Sequence, residues 1–347
     1  MFIRLLILIP IFVCSIHADT IQLTDGRELE GIIMEENTDH YLALIQVSET
    51  IREEQKIPKS QVASIIVTPE DEKAFEKIAD HVPTPDLLEP DEYTSRIESI
   101  ESFLTTHPES KYAEAAHKML TTLEQEYTLI RAGGLKFDGR MISPNEVSKN
   151  RYALDAAIIG HEFEQLAQHS HPIIALRKWR ELDSQYRASE AFKNQLPTAI
   201  ALMQHLKSMI ESDLESLDQR LEEREVNIAR APQRDRDRIV RAIAQREERY
   251  EEILEKEKEE RVVWLSLYSY APSPMRTIHG RLERELNRFE KLDLTELPDG
   301  DAAWRDAWKA IKNDPNSEEA KSAFRTFRSI RPPVKYIKLL ESLLESN

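Results

Sequence analysis

Five side chains able to hold a divalent metal fall within eleven residues: His161, Glu162, Glu164, His169 and His171. Imidazole and carboxylate donors are the usual partners of zinc and similar ions. Their spacing argues against one shared ion. His161-Glu162-Phe163-Glu164-Gln165 lacks the second histidine of the His-Glu-x-x-His pattern, which sets two imidazoles on one helix face. His161 and His169 lie about two helical turns apart, roughly 12 Å of rise, so one ion reaches both only if the chain breaks between them. The competing reading is a set of solvent-facing histidines near a helix end.

Other chemistry has few footholds. The chain contains no Gly-x-Ser-x-Gly elbow, no phosphate-cradling glycine loop and no dinucleotide fingerprint, and its 8 glycines in 347 residues leave little room to build one. Carboxylates are so abundant, 63 Asp and Glu in all, that a pair of them carries no information about glycosidase-type catalysis. We therefore assign no catalytic, cofactor or metal residue and expect a protein that is not an enzyme.

The element that must carry the His161–His171 group is a helix in a predicted helical body over residues 93–203. Ile97, Ile100, Phe103 and Leu104 share one face of a helix, His107 to Ser110 breaks it, and Tyr112, Ala116, Met119, Leu120 and Leu123 form the face of the next. The turn Pro108-x-Ser110-x-x-Ala113-x-x-Ala116 returns as Pro315-x-Ser317-x-x-Ala320-x-x-Ala323 with the same spacing. Proline is expected to start each second helix, serine to cap near it, and the alanines to let the partner helix close in. The first copy resembles the tetratricopeptide-like hairpins of exported bacterial proteins, a resemblance that implies protein docking. Ile174 to Leu202, around Trp179, Leu182 and Tyr186, has a similar texture but lacks the proline. The copies keep no period near 34 residues, so a continuous solenoid is not expected. Inside this body, residues 135–142 read as a short β-hairpin on Asp138-Gly139, followed by a capping box at Ser143-Pro144-Asn145-Glu146.

Residues 204–262 read as a charged, protruding antiparallel coiled-coil hairpin. Residues 205–260 carry 12 basic and 17 acidic side chains. Met203, Ile210 and Leu217 repeat at seven, as do Leu214, Leu221 and Ile228. After Ala231-Pro232-Gln233 the seam resumes with Ile239, Ile243, Tyr250 and Ile253. Arg224 and Arg246 at seam positions leave room for a partner helix or a dimer to complete the core. Val262 to Tyr270, the most apolar run after the N-terminus, is read as core, and a helical segment over 263–347 closes the chain.

Residues 19–68 have another texture. Five short β-branched runs separated by turn signals, beginning with Thr20 to Leu23 and Asp25-Gly26, fit a small five-stranded SH3-like or Sm-like barrel. A Pro-rich linker follows over 69–92. Its string Pro83-Thr84-Pro85-Asp86-Leu87, set between a β module and a long helical region, resembles the PTPDL family of secreted bacterial proteins, named for that motif. The function of that family is uncharacterised, so the resemblance implies export and architecture and brings no catalytic residues.

Residues 1–18 read as a signal peptide, with Arg4 before an apolar run from Leu5 to Val13 and Ala18 as the small residue before cleavage. The run is about half of the roughly 20 residues that span a bilayer. Removal of the segment takes away Arg4 and the single cysteine, Cys14, and moves the formal charge from −16 to −17. Such a surface repels phosphate backbones, so no nucleic-acid partner is expected, nor any transmembrane segment in the mature chain. The expected fold is α+β, mainly α. The expected role is a periplasmic or secreted interaction or scaffold protein with a protein partner or self-association. A metal-dependent hydrolase of envelope polymers and a self-associating structural envelope protein are the alternatives.

Overall fold

The computed structural model describes residues 19–48, 51–66, 68–169 and 171–345. The signal peptide expected over 1–18, with Cys14, lies outside these residues. Among them the chain forms thirteen α-helices and seven strands and divides into two compact units, Met1–Pro144 and Asn145–Asn347. None of the described helices is long and apolar enough to cross a membrane.

The first unit opens with a mixed-texture sequence that alternates apolar and polar residues, and period two makes strands. β1 (Asp19–Leu23), β2 (Glu28–Glu36), β3 (His40–Gln46), β4 (Arg52–Pro58) and β5 (Val62–Ile66) form one antiparallel sheet in the order β4-β3-β2-β1-β5. Ile21, Leu23, Ala43, Ile45 and Ile57 pack on its inner face. Gly31 is required where β2 meets β3, because a Cβ there would stand 2.6 Å from the Leu44 carbonyl oxygen.

The expected barrel does not close. β4 and β5 are the two edges of the sheet and do not pair with each other. The reason lies in β4, whose Arg52-Glu53-Glu54-Gln55-Lys56 run offers no apolar face to an enclosed interior and buries only Ile57. A charged edge of this kind also discourages pairing with another chain.

α1 (Glu70–Ala79), α2 (Pro90–Thr106) and α3 (Ala113–Arg131) complete the first unit around Ile78, Leu88, Tyr93, Ile100, Phe103, Ala116 and Leu123. Phe75 of α1 stacks on Tyr112 at 4.5 Å. After α3, β6 (Leu135–Phe137) and β7 (Arg140–Ile142) pair across Asp138 and Gly139, both with positive φ as a two-residue hairpin demands.

The second unit is helical throughout: α4 (Pro144–Lys149) at its boundary, then α5 (Arg151–Gln168), α6 (Pro172–Gln185), α7 (Glu190–Glu215), α8 (Leu217–Arg230), α9 (Gln233–Glu259), α10 (Pro272–Glu290), α11 (Gly300–Asn313), α12 (Glu318–Ser329) and α13 (Val334–Glu345). One core runs from Tyr152 through Trp179, Phe192 and Met203 to Trp304 and Tyr336.

Three helix hairpins share one turn. His107, Tyr186 and Asp314 each end a helix by donating N–H to the carbonyl four residues back, and their own carbonyls accept from the backbone N–H of a serine three residues on: Ser110 at 3.1 Å, Ser189 at 2.8 Å and Ser317 at 3.2 Å. The prolines Pro108 and Pro315 lie in the turn, ahead of helices that begin at Ala113 and Glu318, so they do not start the second helix as expected. The central hairpin, set apart in the sequence for lacking proline, has the same turn.

The heptad seam is divided between two structures. α7 runs unbroken through residues 203 and 204, and its Met203, Leu206 and Ile210 belong to the body core. α8 and α9 then run back along each other, with Arg224 paired to Glu247 at 2.9 Å. Ile253, expected in the seam, is 49% exposed, while Leu254 and Glu257 are buried instead.

Candidate functional site

The His161–His171 group does not converge. Glu162 forms an ion pair with Lys178 at 2.6 Å, Glu164 accepts from Gln195 at 3.2 Å, and His169 bonds the Gln165 carbonyl at 2.7 Å while His171 precedes α6. Burial lowers the Lys178 pKa, but the bond and charge of Glu162 outweigh it and raise the group above its ordinary value. Among the described residues no three His, Cys, Asp or Glu side chains come together as a metal site.

The motif residues Pro83, Thr84, Pro85, Asp86 and Leu87 occupy a built position. Pro83 follows a cis peptide, Leu87 has φ 58°, and Thr84 is buried. Lys136 of β6 donates to the Thr84 hydroxyl at 2.8 Å and to Glu126 of α3 at 3.0 Å, and Thr84 and Tyr93 both donate to the same Glu126 carboxylate. Asp86 accepts from the Gly139 N–H at 3.0 Å and Leu87 N–H bonds the Lys136 carbonyl at 2.9 Å. The motif thus fastens the α1–α2 connection to the β6–β7 hairpin. Burial pushes the Glu126 carboxyl up, but the bonds from Thr84, Lys136 and Tyr93 outweigh it and hold the group below the usual carboxylate range. Burial likewise lifts the Tyr93 phenol to about 12. A hydroxyl beside a lysine resembles a nucleophile with its base. Here Glu126 keeps that lysine in a salt bridge, and both Thr84 and Lys136 are closed off from solvent.

A different place is open to a partner. In the second unit a groove of about 670 Å³ lies between α6, α7 and the segment after α9. Ile173 and Ile174 enter from α6, Leu206 and Met209 from α7, and Leu267 and Tyr268 from the facing segment. Ile174 is 44% and Met209 47% exposed, large apolar side chains left facing solvent. Asp213 and Arg246 also line this groove. Arg246 is the residue that the sequence placed in a coiled-coil seam. It faces the groove because the true α9 contact face is displaced toward Leu254.

The facing wall is held by an ion pair between a half-buried arginine and a buried glutamate. Arg177 of α6 donates to Glu257 of α9 at 2.6 Å and to the Trp264 carbonyl at 2.9 Å, and Ser266 donates to Glu257 through its backbone N–H at 2.7 Å and its hydroxyl at 2.6 Å. Tyr250 adds a bond to the Ser266 carbonyl at 2.9 Å. Burial pushes the Glu257 carboxyl up, yet the two Ser266 bonds and Arg177 outweigh it and keep the group below its ordinary value. The apolar Val262–Tyr270 run is therefore laid across the body, with Trp264 buried and its neighbours half-buried. The sequence pointed to this run but not to Ile174 or Met209, which sit on helices whose other faces are core and which only tertiary packing leaves uncovered.

The chain matches no family model, no curated protein and no solved structure.

Proposed function

We propose that the chain is an exported, non-enzymatic interaction or scaffold protein of the bacterial envelope, a member of the PTPDL family, that docks an apolar segment of a partner protein in the α6–α7 groove. The observation that carries the reading is the paired exposure of Ile174 and Met209 in one concave surface flanked by Asp213 and Arg246. Apolar anchors in a pocket with a charged rim are the usual anatomy of a protein-docking site. The helical hairpins supply a rigid support for it, and α8 with α9, read as a short coiled-coil hairpin, offers a second surface for partner or self-association.

Mature protein and the Ile174→Asp/Met209→Asp double variant, used as baits on the same envelope extract, test the reading. Both positions are solvent-exposed, so the double variant is expected to keep the fold, within about 1 kcal/mol of wild-type stability for its two changes. The expected result is a stoichiometric partner, or a dimer by light scattering, present with wild type and lost with the variant. Monomeric wild type that retains nothing, or equal retention by both baits, contradicts the proposal.

A further inference from the structure

A second cavity of the helical unit, about 380 Å³, is lined by Arg180, Arg187, Arg281 and Arg288 together with Asp183 and Glu285. Four guanidinium groups face two carboxylates in a chain whose net charge is −16. Both carboxylates are already engaged. Asp183 pairs with Arg187 at 2.7 Å and with Arg288 at 2.6 Å, and Glu285 pairs with Arg288 at 2.6 Å. Among the described residues Arg281 has no ion pair, and its Nε is buried without a hydrogen-bond partner. Arg180 is likewise without a carboxylate among the described residues, and exposed at the cavity's edge. Ser184 and the largely apolar Trp179, Met203, Val263 and Trp264 complete the wall.

A half-buried guanidinium with no anion beside it is costly, and apolar walls strengthen any charge interaction made within them. The guanidinium fork matches carboxylate and phosphate oxygens two at a time. We propose that this cavity binds a small molecule bearing one carboxylate or phosphate group, with Arg281 and Arg180 on the oxyanion and the Trp264 side of the cavity receiving its apolar part. This site is separate from the α6–α7 groove, so it stands or falls independently of the docking reading.

Calorimetric titration of the full mature chain with inorganic phosphate and, separately, with butyrate, at ionic strength held constant with chloride, tests the proposal. Saturable binding of either probe is expected, weakened about tenfold or more by Arg281→Gln through loss of a charge-assisted pair, and weakened also by Arg180→Gln, an exposed change that leaves folding intact. Arg284→Gln, outside the cavity, is expected to bind as wild type does. Which probe binds assigns the oxyanion. The proposal is overturned if neither probe saturates below about 10 mM, far weaker than any useful site, or if Arg180→Gln and Arg281→Gln both bind as wild type does.

Discussion

Lys136 and Glu126 illustrate how a buried charge is held. Their side chains are 8% and 13% exposed and 3.0 Å apart, with Thr84 and Tyr93 both donating to the other carboxylate oxygen. Breaking such a pair strands one charge, so Lys136→Met is expected to cost about 3 kcal/mol, against at most about 0.5 kcal/mol for Lys118→Met in the exposed helical pair with Glu114. The sign of the pH dependence follows from the depressed Glu126 pKa. A group whose folded value lies below its unfolded one contributes stability that is full above the ordinary glutamate value near 4.3 and is lost as pH falls through the folded value. Urea denaturation of the wild type is therefore expected to show a loss of stability below about pH 4.3 that Glu126→Gln reduces. An identical acid slope in the two proteins would contradict the assignment.

Among the elements, the helix hairpins show what the sequence discloses and what it conceals. Heptad and 3.6 periodicities located the helices because burial on one face leaves a periodic trace. The turn was misread by its most conspicuous residue. Proline is present in two copies, yet the constant feature is a serine whose N–H returns to the end of the preceding helix, and only Ser189 and Ser317 also cap the next one, accepting from Phe192 and Ala320 at 3.1 Å each. Ser189→Ala is expected to destabilise the helical unit by about 1–2 kcal/mol, since Ser189 is fully buried and loses both its cap and its bond to Tyr186. A thermal melt unchanged by that substitution would remove the turn from the account. Barrel closure was illegible for another reason: strand number and turn spacing count strands, whereas closure depends on whether the edge strand β4 has an apolar face, and its five charged or amide residues give it none. The seam differs for a similar reason: α9 turns Ile243, Glu247, Tyr250, Leu254 and Glu257 inward at heptad spacing, so the charged Glu247 and Glu257 hold seam positions that apolarity does not mark, and Ile253 is left in solvent.

At the scale of the whole molecule, the first compact unit has one apolar cluster on its sheet and another among its helices, the second has a single large core, and each holds an ion pair, the buried Lys136–Glu126 in one and the half-buried Arg177–Glu257 in the other. The motif that resembles a linker fastens the first unit internally, and the apolar run after α9 forms a wall of the groove in the second. Charge is densest on α8 and α9, where 24 of 41 residues are charged, both signs are interspersed and exposed pairs contribute little stability. What distinguishes the groove from that solvated surface is a pair of apolar side chains that folding leaves uncovered. The most direct measurement is photo-crosslinking in intact cells from a benzophenone amino acid at position 209, with position 240 as control, since Val240 is exposed to the same 47% but does not line the groove. The account predicts a discrete covalent adduct from position 209 and none from position 240. Equal labelling from both positions, or none from position 209, would contradict it.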